Sequence, residues 1–169
     1  MIIFCGVPGS GKTTIARTLS EKLMGSVHIQ TDTIRGMIAR PNYGGPESAF
    51  VYDSCVRVAK EALRRGRPTI LDGTFARSAH RARAFSALRG FCGRCVLVYV
   101  VCGMSTAERR NASRRDVVPR ERLRGFYVSF EEPLDAVRID TDVRSAEESA
   151  AIILAATKGE TKEGEHTAG

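Results

Sequence analysis

The chain has 169 residues, 43% apolar and 27% charged, the proportions of one ordinary globular domain rather than a collagen-like, disordered or disulfide-scaffold chain. No run of 18 apolar residues exists, so no transmembrane helix is expected, and Met1–Cys5 lacks the basic pattern of a secretory leader, so a cytoplasmic protein is expected. The net charge of +7 comes from 26 basic residues against 19 acids; 21 of the 26 are arginine, which suits a protein that handles anions or a genome rich in arginine codons.

Ile2 to Cys5 is a short, wholly apolar run ended by glycine, the pattern of a buried parallel strand. Gly6-Val7-Pro8-Gly9-Ser10-Gly11-Lys12-Thr13 follows and reads G-x-x-x-x-G-K-[ST] without a departure. Glycines let the backbone curl so that several N–H groups point at phosphate oxygens, and the helix that starts near Lys12 adds its positive end. Gly6, Pro8, Gly9, Ser10, Gly11, Lys12, Thr13 and Thr14 are therefore the expected nucleotide site, for ATP with Mg2+. Lys12 is expected to reach the β- and γ-phosphates, and the Thr13 hydroxyl to bind the metal. The helix runs over Thr13–Leu23, with Ile15, Ala16, Leu19 and Leu23 at helical spacing.

Val27–Ile29 reads as a second strand, followed by Gln30-Thr31-Asp32-Thr33-Ile34-Arg35. Asp32 is a candidate catalytic base and metal supporter, or simply a helix N-cap. Arg35, one helical turn on, is a candidate anion clamp for the acceptor. A helix is expected over Thr33–Ala39, a glycine-rich loop over Asn42–Pro46, and a long amphipathic helix over Glu47–Arg65. The third strand, Pro68–Leu71, leads into Asp72-Gly73-Thr74-Phe75. Asp72 stands where a magnesium-supporting acid belongs; Thr74, Phe75 and Arg81 are expected to line the acceptor pocket. Arg77 and Arg83 read as solvated charges on the Ser78–Arg89 helix, and His80 as a surface residue.

Cys92-Gly93-Arg94-Cys95 could be half of a zinc site or a redox pair, but no second pair of ligands accompanies it. Cys95–Val101 reads as a strand buried on both faces. Seven arginines then fall between Thr106 and Arg124, with a helix expected over Thr106–Arg115. A lid of this kind could close over a triphosphate and spread transition-state charge, with Arg110 and Arg114, four residues apart, as its catalytic members. An exposed basic helix or an RNA-binding face are the alternatives, the latter weakened by the scarcity of interleaved aromatic residues. Val137–Ile139 is the last strand and Ala146–Thr157 the closing helix.

Strands alternating with helices predict an α/β chain: a single-domain P-loop NTPase fold over residues 1–157, with a five-stranded parallel sheet, helices on both faces, an arginine-rich lid and a disordered tail over 158–169. The ligand is then expected beyond the carboxyl ends of the strands. The phosphate loop, Asp32-x-x-Arg35, the Asp72–Phe75 turn and the arginine segment resemble the small P-loop kinases. Arg124-Gly125-Phe126-Tyr127, Phe130-Glu131-Glu132-Pro133 and Asp140-Thr141 are similar to segments of adenylylsulfate kinase, although Gln30-Thr31-Asp32 stands where that family has D-G-D. That resemblance implies Asp32 as base, Arg35 as substrate ligand, Phe75 stacked on the acceptor's adenine, and a small anionic acceptor carrying a hydroxyl. The turn from Asp72 to Arg81 and the pair Arg110 and Arg114 are also similar to polynucleotide 5′-kinases and seryl-tRNA kinases, which implies a nucleic-acid hydroxyl instead. A nucleotide-binding switch is the reading from another class; no guanine-recognising N-K-x-D is present. A monomer or homodimer is expected, with no membrane partner.

Overall fold

The computed structural model describes residues 1–113 and 117–159. Five strands, β1 (Ile2–Cys5), β2 (Val27–Gln30), β3 (Thr69–Asp72), β4 (Val96–Val101) and β5 (Val137–Asp140), form one sheet in the order β2-β3-β1-β4-β5. Every pairing is parallel, with Ile3 beside Leu71 on one flank and beside Leu97 on the other. All five carboxyl ends therefore open on one edge, with β1 at its centre. Each run expected to be a strand is one.

Because side chains alternate along a strand, β1 feeds two cores. Ile2 and Phe4 pack with Ile70, Val98, Val100 and Ile139 beneath helices α1 (Lys12–Lys22) and α7 (Ala146–Lys158). Ile3 and Cys5 pack on the other side with Leu71, Tyr99 and the apolar stripes of α3 (Gly45–Arg64) and α4 (Ser78–Leu88). The spacing of Val51, Cys55, Ala59 and Ala62 accounts for the α3 stripe, all four buried. Ser145 and Glu148 close a reciprocal capping box at the start of α7, and Gly159, at φ 88°, ends it.

Three of the expected helices come out differently. The short α2 spans Thr31–Arg35 rather than Thr33–Ala39, with Gln30, not Asp32, as its N-cap. Helix α3 starts at Gly45, ahead of Glu47, because Pro46 fits the first turn, where its missing N–H has no partner to lose. The arginine segment folds as two helices, α5 (Met104–Ala112) and α6 (Arg120–Ser129). Asn111 clamps their connection: its side chain donates to Val118 O at 2.7 Å and accepts from Val118 N at 3.0 Å. Arg114, the tail from 160 onward and the end of the expected 106–115 helix lie outside the described residues. Among the described residues no helix is long and apolar enough to cross a membrane.

Candidate active site

The loop after β1 turns on glycines at positive φ, Gly9 at 82° and Gly11 at 94°, a region that side-chain-bearing residues rarely adopt. Gly9 also packs against the backbone of Ala107 in α5; a Cβ there would stand 2.7 Å from Ala107 O. Inside the curl, the Lys12 ammonium donates to Val7 O at 2.8 Å and lies 3.3 Å from Ser10 Oγ. Lys12 is only 8% exposed, so its charge is confined to the loop.

Thr13 Oγ1 donates to Asp72 Oδ2 at 2.8 Å, joining the first turn of α1 to the end of β3. His28 Nε2 reaches the same oxygen at 3.3 Å, and Gln30 Nε2 lies 3.5 Å from His28 Nδ1. The register explains the set: Gln30 is the direct partner of Asp72 on β3, and His28 lies two residues back on the same face. Glycine backbone, an ammonium, a hydroxyl and a carboxylate make a donor set that fits a magnesium nucleotide, since magnesium prefers oxygen. Thr13 and Asp72 would hold the ion.

Asp32 is exposed in the first turn of α2, at the carboxyl edge of the sheet. Arg35 has another partner besides any ligand. It is paired through Nη1 with Glu47 Oε1, with 12% and 9% of the two side chains exposed. Glu47 also accepts from Asn42 N at 2.6 Å and Tyr43 N at 3.0 Å. Burial alone would push the Glu47 carboxyl up, but those two amides and the Arg35 guanidinium together hold it below the ordinary value. The Tyr43 ring lies 4.7 Å from the Arg35 guanidinium and 4.3 Å from that of Arg122 on α6.

Phe75 and Arg81 are both buried. Phe75, 4.6 Å from the Tyr52 ring, also borders a small cavity together with Ala49, Val56 and His80. Arg81 is 5% exposed and donates to the carbonyls of Phe75, Ala76 and Glu131 at 2.7, 3.2 and 2.6 Å. Its guanidinium is satisfied by backbone and does not face an acceptor anion. Thr74 contributes its carbonyl, which accepts from Gly6 N at 3.1 Å and fixes the β3 turn to the phosphate loop.

Arg110 lies over the loop. It donates to Thr141 Oγ1 at 2.7 Å and Thr141 O at 3.0 Å, while Thr141 Oγ1 donates to Ser10 O at 2.9 Å. A cavity of about 180 Å3 opens behind Val7, walled by Tyr99, Val101, Cys102, Tyr127 and Glu132. Burial pushes the thiols of Cys5 up to about 11 and of Cys55 and Cys95 up to about 12, so these three are protonated at neutral pH. All five cysteines are free, and no group of three potential metal ligands exists among the described residues. His28, Glu47 and Tyr43 have no motif to announce them; only Gln30, standing where D-G-D belongs, marked this corner as unusual.

Fold and loop together define a P-loop nucleotide-binding protein. The AAA_33 family, described as an AAA domain, matches residues 1–133, and the chain belongs to it. It is 26% identical over 137 residues to L-seryl-tRNA(Sec) kinase of Methanococcus maripaludis, a match that covers 79% of this chain and 53% of that protein. The chain thus spans about half the length of that relative. Among solved structures it is similar to the APS kinase of Mycobacterium tuberculosis in complex with AMPPNP and APS, at TM-score 0.73 and 18% identity over 90% of this chain and 94% of the other. A gluconokinase from Sinorhizobium meliloti matches at TM-score 0.63 and 17% identity, covering 94% and 90%. At these identities the likeness is one of fold, and the fold is that of P-loop kinases.

Proposed function

We propose that the protein is an ATP-dependent kinase that moves the γ-phosphate to an acceptor hydroxyl. The carrying observation is the 2.8 Å bond from Thr13 to Asp72 beneath a complete phosphate loop, with Asp32 exposed on the same sheet edge. A plain nucleotide switch has no use for a carboxylate there. Lys12 and the loop amides hold the β- and γ-phosphates; Thr13 and Asp72 would hold the magnesium, which would supply charge neutralisation. Asp32 orients the acceptor hydroxyl for in-line attack and takes its proton. Arg110, tied to Thr141 beside Gly11, adds positive charge from the α5 side; a like role for Arg114 belongs to the same reading. A cytoplasmic location is part of it.

The acceptor is a small molecule in the first reading, with adenylylsulfate the first to try. The second reading, an aminoacyl-tRNA or polynucleotide hydroxyl, is favoured by the named activity of the Methanococcus relative. Labelled γ-phosphate is offered with adenylylsulfate, a 5′-hydroxyl oligoribonucleotide, seryl-tRNA or no acceptor. Label on adenylylsulfate supports the first reading; label on either RNA supports the second. Asp32→Asn is expected to lower turnover by about 100-fold or more while ATP affinity stays within about twofold. Lys12→Ala is expected to abolish transfer to every acceptor, and retained transfer would remove the loop from the mechanism.

A further inference from the structure

The cavity behind Val7 adjoins the phosphate loop: Val7 lines it, and Val7 O accepts from Lys12 Nζ. Its inner wall is the end of β4, with the buried Tyr99, then Val101 and Cys102. The Tyr99 ring is stacked on Phe130 at 5.2 Å and 16°, which fixes its plane. Two exposed charged residues, Glu132 and Arg138, stand at the rim. Arg138 is the direct partner of Tyr99 on β5, so both side chains leave the same face of the sheet. Tyr99 Oη donates to Glu132 Oε1 at 3.0 Å, and Tyr127 Oη, across the cavity on α6, donates to Cys102 O at 3.0 Å.

The hydrogen-bonding inventory of this space is mixed. A carboxylate only accepts, and the Tyr99 bond uses one of its roughly four lone-pair sites. A guanidinium only donates, and each tyrosine hydroxyl, its proton committed, can still accept. A ligand matched to Glu132 and Arg138 together therefore donates and accepts from neighbouring atoms. Hydroxyl groups do both, and a ring carrying adjacent hydroxyls presents such pairs all round its edge, while its C–H faces pack on Val7 and Val101. The size agrees: an apolar cavity of about 150 Å3 holds one benzene. At about 180 Å3, this one holds a single six-membered ring.

We propose that this cavity binds one ring of a sugar or cyclitol, with Glu132 accepting from one hydroxyl and Arg138 donating to its neighbour, and that the ring belongs to the phosphate acceptor. The role as acceptor rests on the kinase reading; the binding of the ring does not.

The test is saturation-transfer NMR on the full chain saturated with AMPPNP and Mg2+, titrated separately with myo-inositol, D-glucose, D-ribose and, as a contrast, adenosine. Wild type is compared with Val101→Phe, whose ring fills the cavity, and with the rim variants Glu132→Ala and Arg138→Met. At least one of the three polyols is expected to bind wild type beside AMPPNP, and to bind each variant at least about tenfold more weakly. No polyol bound, or binding unmoved by the substitutions, would overturn the proposal. Adenosine bound in their place and lost in the variants would overturn it too, by making the cavity a nucleoside site. Should Val101→Phe fail to fold, the two exposed rim positions decide. A polyol that binds but takes no γ-phosphate from labelled ATP would remove its role as acceptor alone. Failure of the chain to bind AMPPNP would strike the kinase reading instead, and the same polyol titrations on the unliganded protein then decide what the cavity holds.

Discussion

Asp72 is a buried carboxylate, 3% exposed, and its two side-chain hydrogen bonds among the described residues converge on one oxygen. A carboxylate can only accept, so His28 donates to Asp72 from Nε2, while Gln30 Nε2 lies 3.5 Å from His28 Nδ1. Gln30, His28, Asp72 and Thr13 thus form a chain from the edge strand to the phosphate loop. With Thr13 and His28 both on Oδ2, the plane of the carboxylate is fixed before a metal arrives. Outer partners of this kind tune metal affinity through orientation. His28→Ala is therefore expected to raise the magnesium concentration needed for half-maximal AMPPNP binding by about tenfold. Binding without magnesium stays unchanged, since the loop amides and Lys12 are untouched. Titrations at stepped magnesium check this; an unaltered requirement would make His28 a filler of the strand edge.

At the scale of elements, the start of α4 is served from far along the chain. Its N-cap, Arg77, provides no side-chain cap. Glu131, after α6, does so instead: Oε2 accepts from Ser78 N at 2.7 Å and Ser78 Oγ at 2.6 Å, and Oε1 from Arg77 at 3.0 Å. The Ser78 hydroxyl first, then its amide and Arg77, lower the Glu131 pKa from 4.5 to about 2. A depressed folded pKa means stability that is present above the unfolded value and lost as pH falls through the folded one. Wild type should therefore exceed Glu131→Gln in urea stability by a constant margin above pH 5, and by a shrinking margin from pH 4.5 down to about 2. A margin flat across that window would show that Glu131 acts through shape alone. Such a cap is invisible to a reading of sequence, which sees the i to i+3 box of Ser145 and Glu148 but not a partner 53 residues away. Helix α6 was hidden for a related reason. Leu123 is its only buried residue, so no apolar stripe distinguishes it from a run of solvated arginines. The five strands and the phosphate loop were legible because each is a short apolar run or an unbroken motif. The burial of Phe75 and Arg81 was not, because it depends on where α3 and the 130–131 segment come to lie.

Across the whole molecule, the nucleotide loop is held from three directions. Thr74 O takes Gly6 N on the β3 side, Ala107 of α5 lies against Gly9, and Thr141 after β5 donates to Ser10 O. Arg110 links the last two by binding Thr141. A nucleotide that binds only this assembled loop stabilises the fold by mass action, about 2.7 kcal/mol at a hundredfold excess over Kd. For a domain of this size that is a rise of roughly 5–10 °C in Tm. Gly9→Ala tests whether the linkage matters. Its Cβ would enter the space of Ala107 O at 2.7 Å, and φ 82° strains any residue with a side chain, so loop and α5 must part. The β-sheet and both cores lie outside that contact and should still form. The variant is expected to unfold cooperatively with unchanged far-UV circular dichroism, yet to show little or no rise in Tm with AMPPNP and Mg2+. An equal rise in variant and wild type would mean that the loop binds nucleotide without its seat on α5, and that the arginine helix is a passenger rather than part of the nucleotide site.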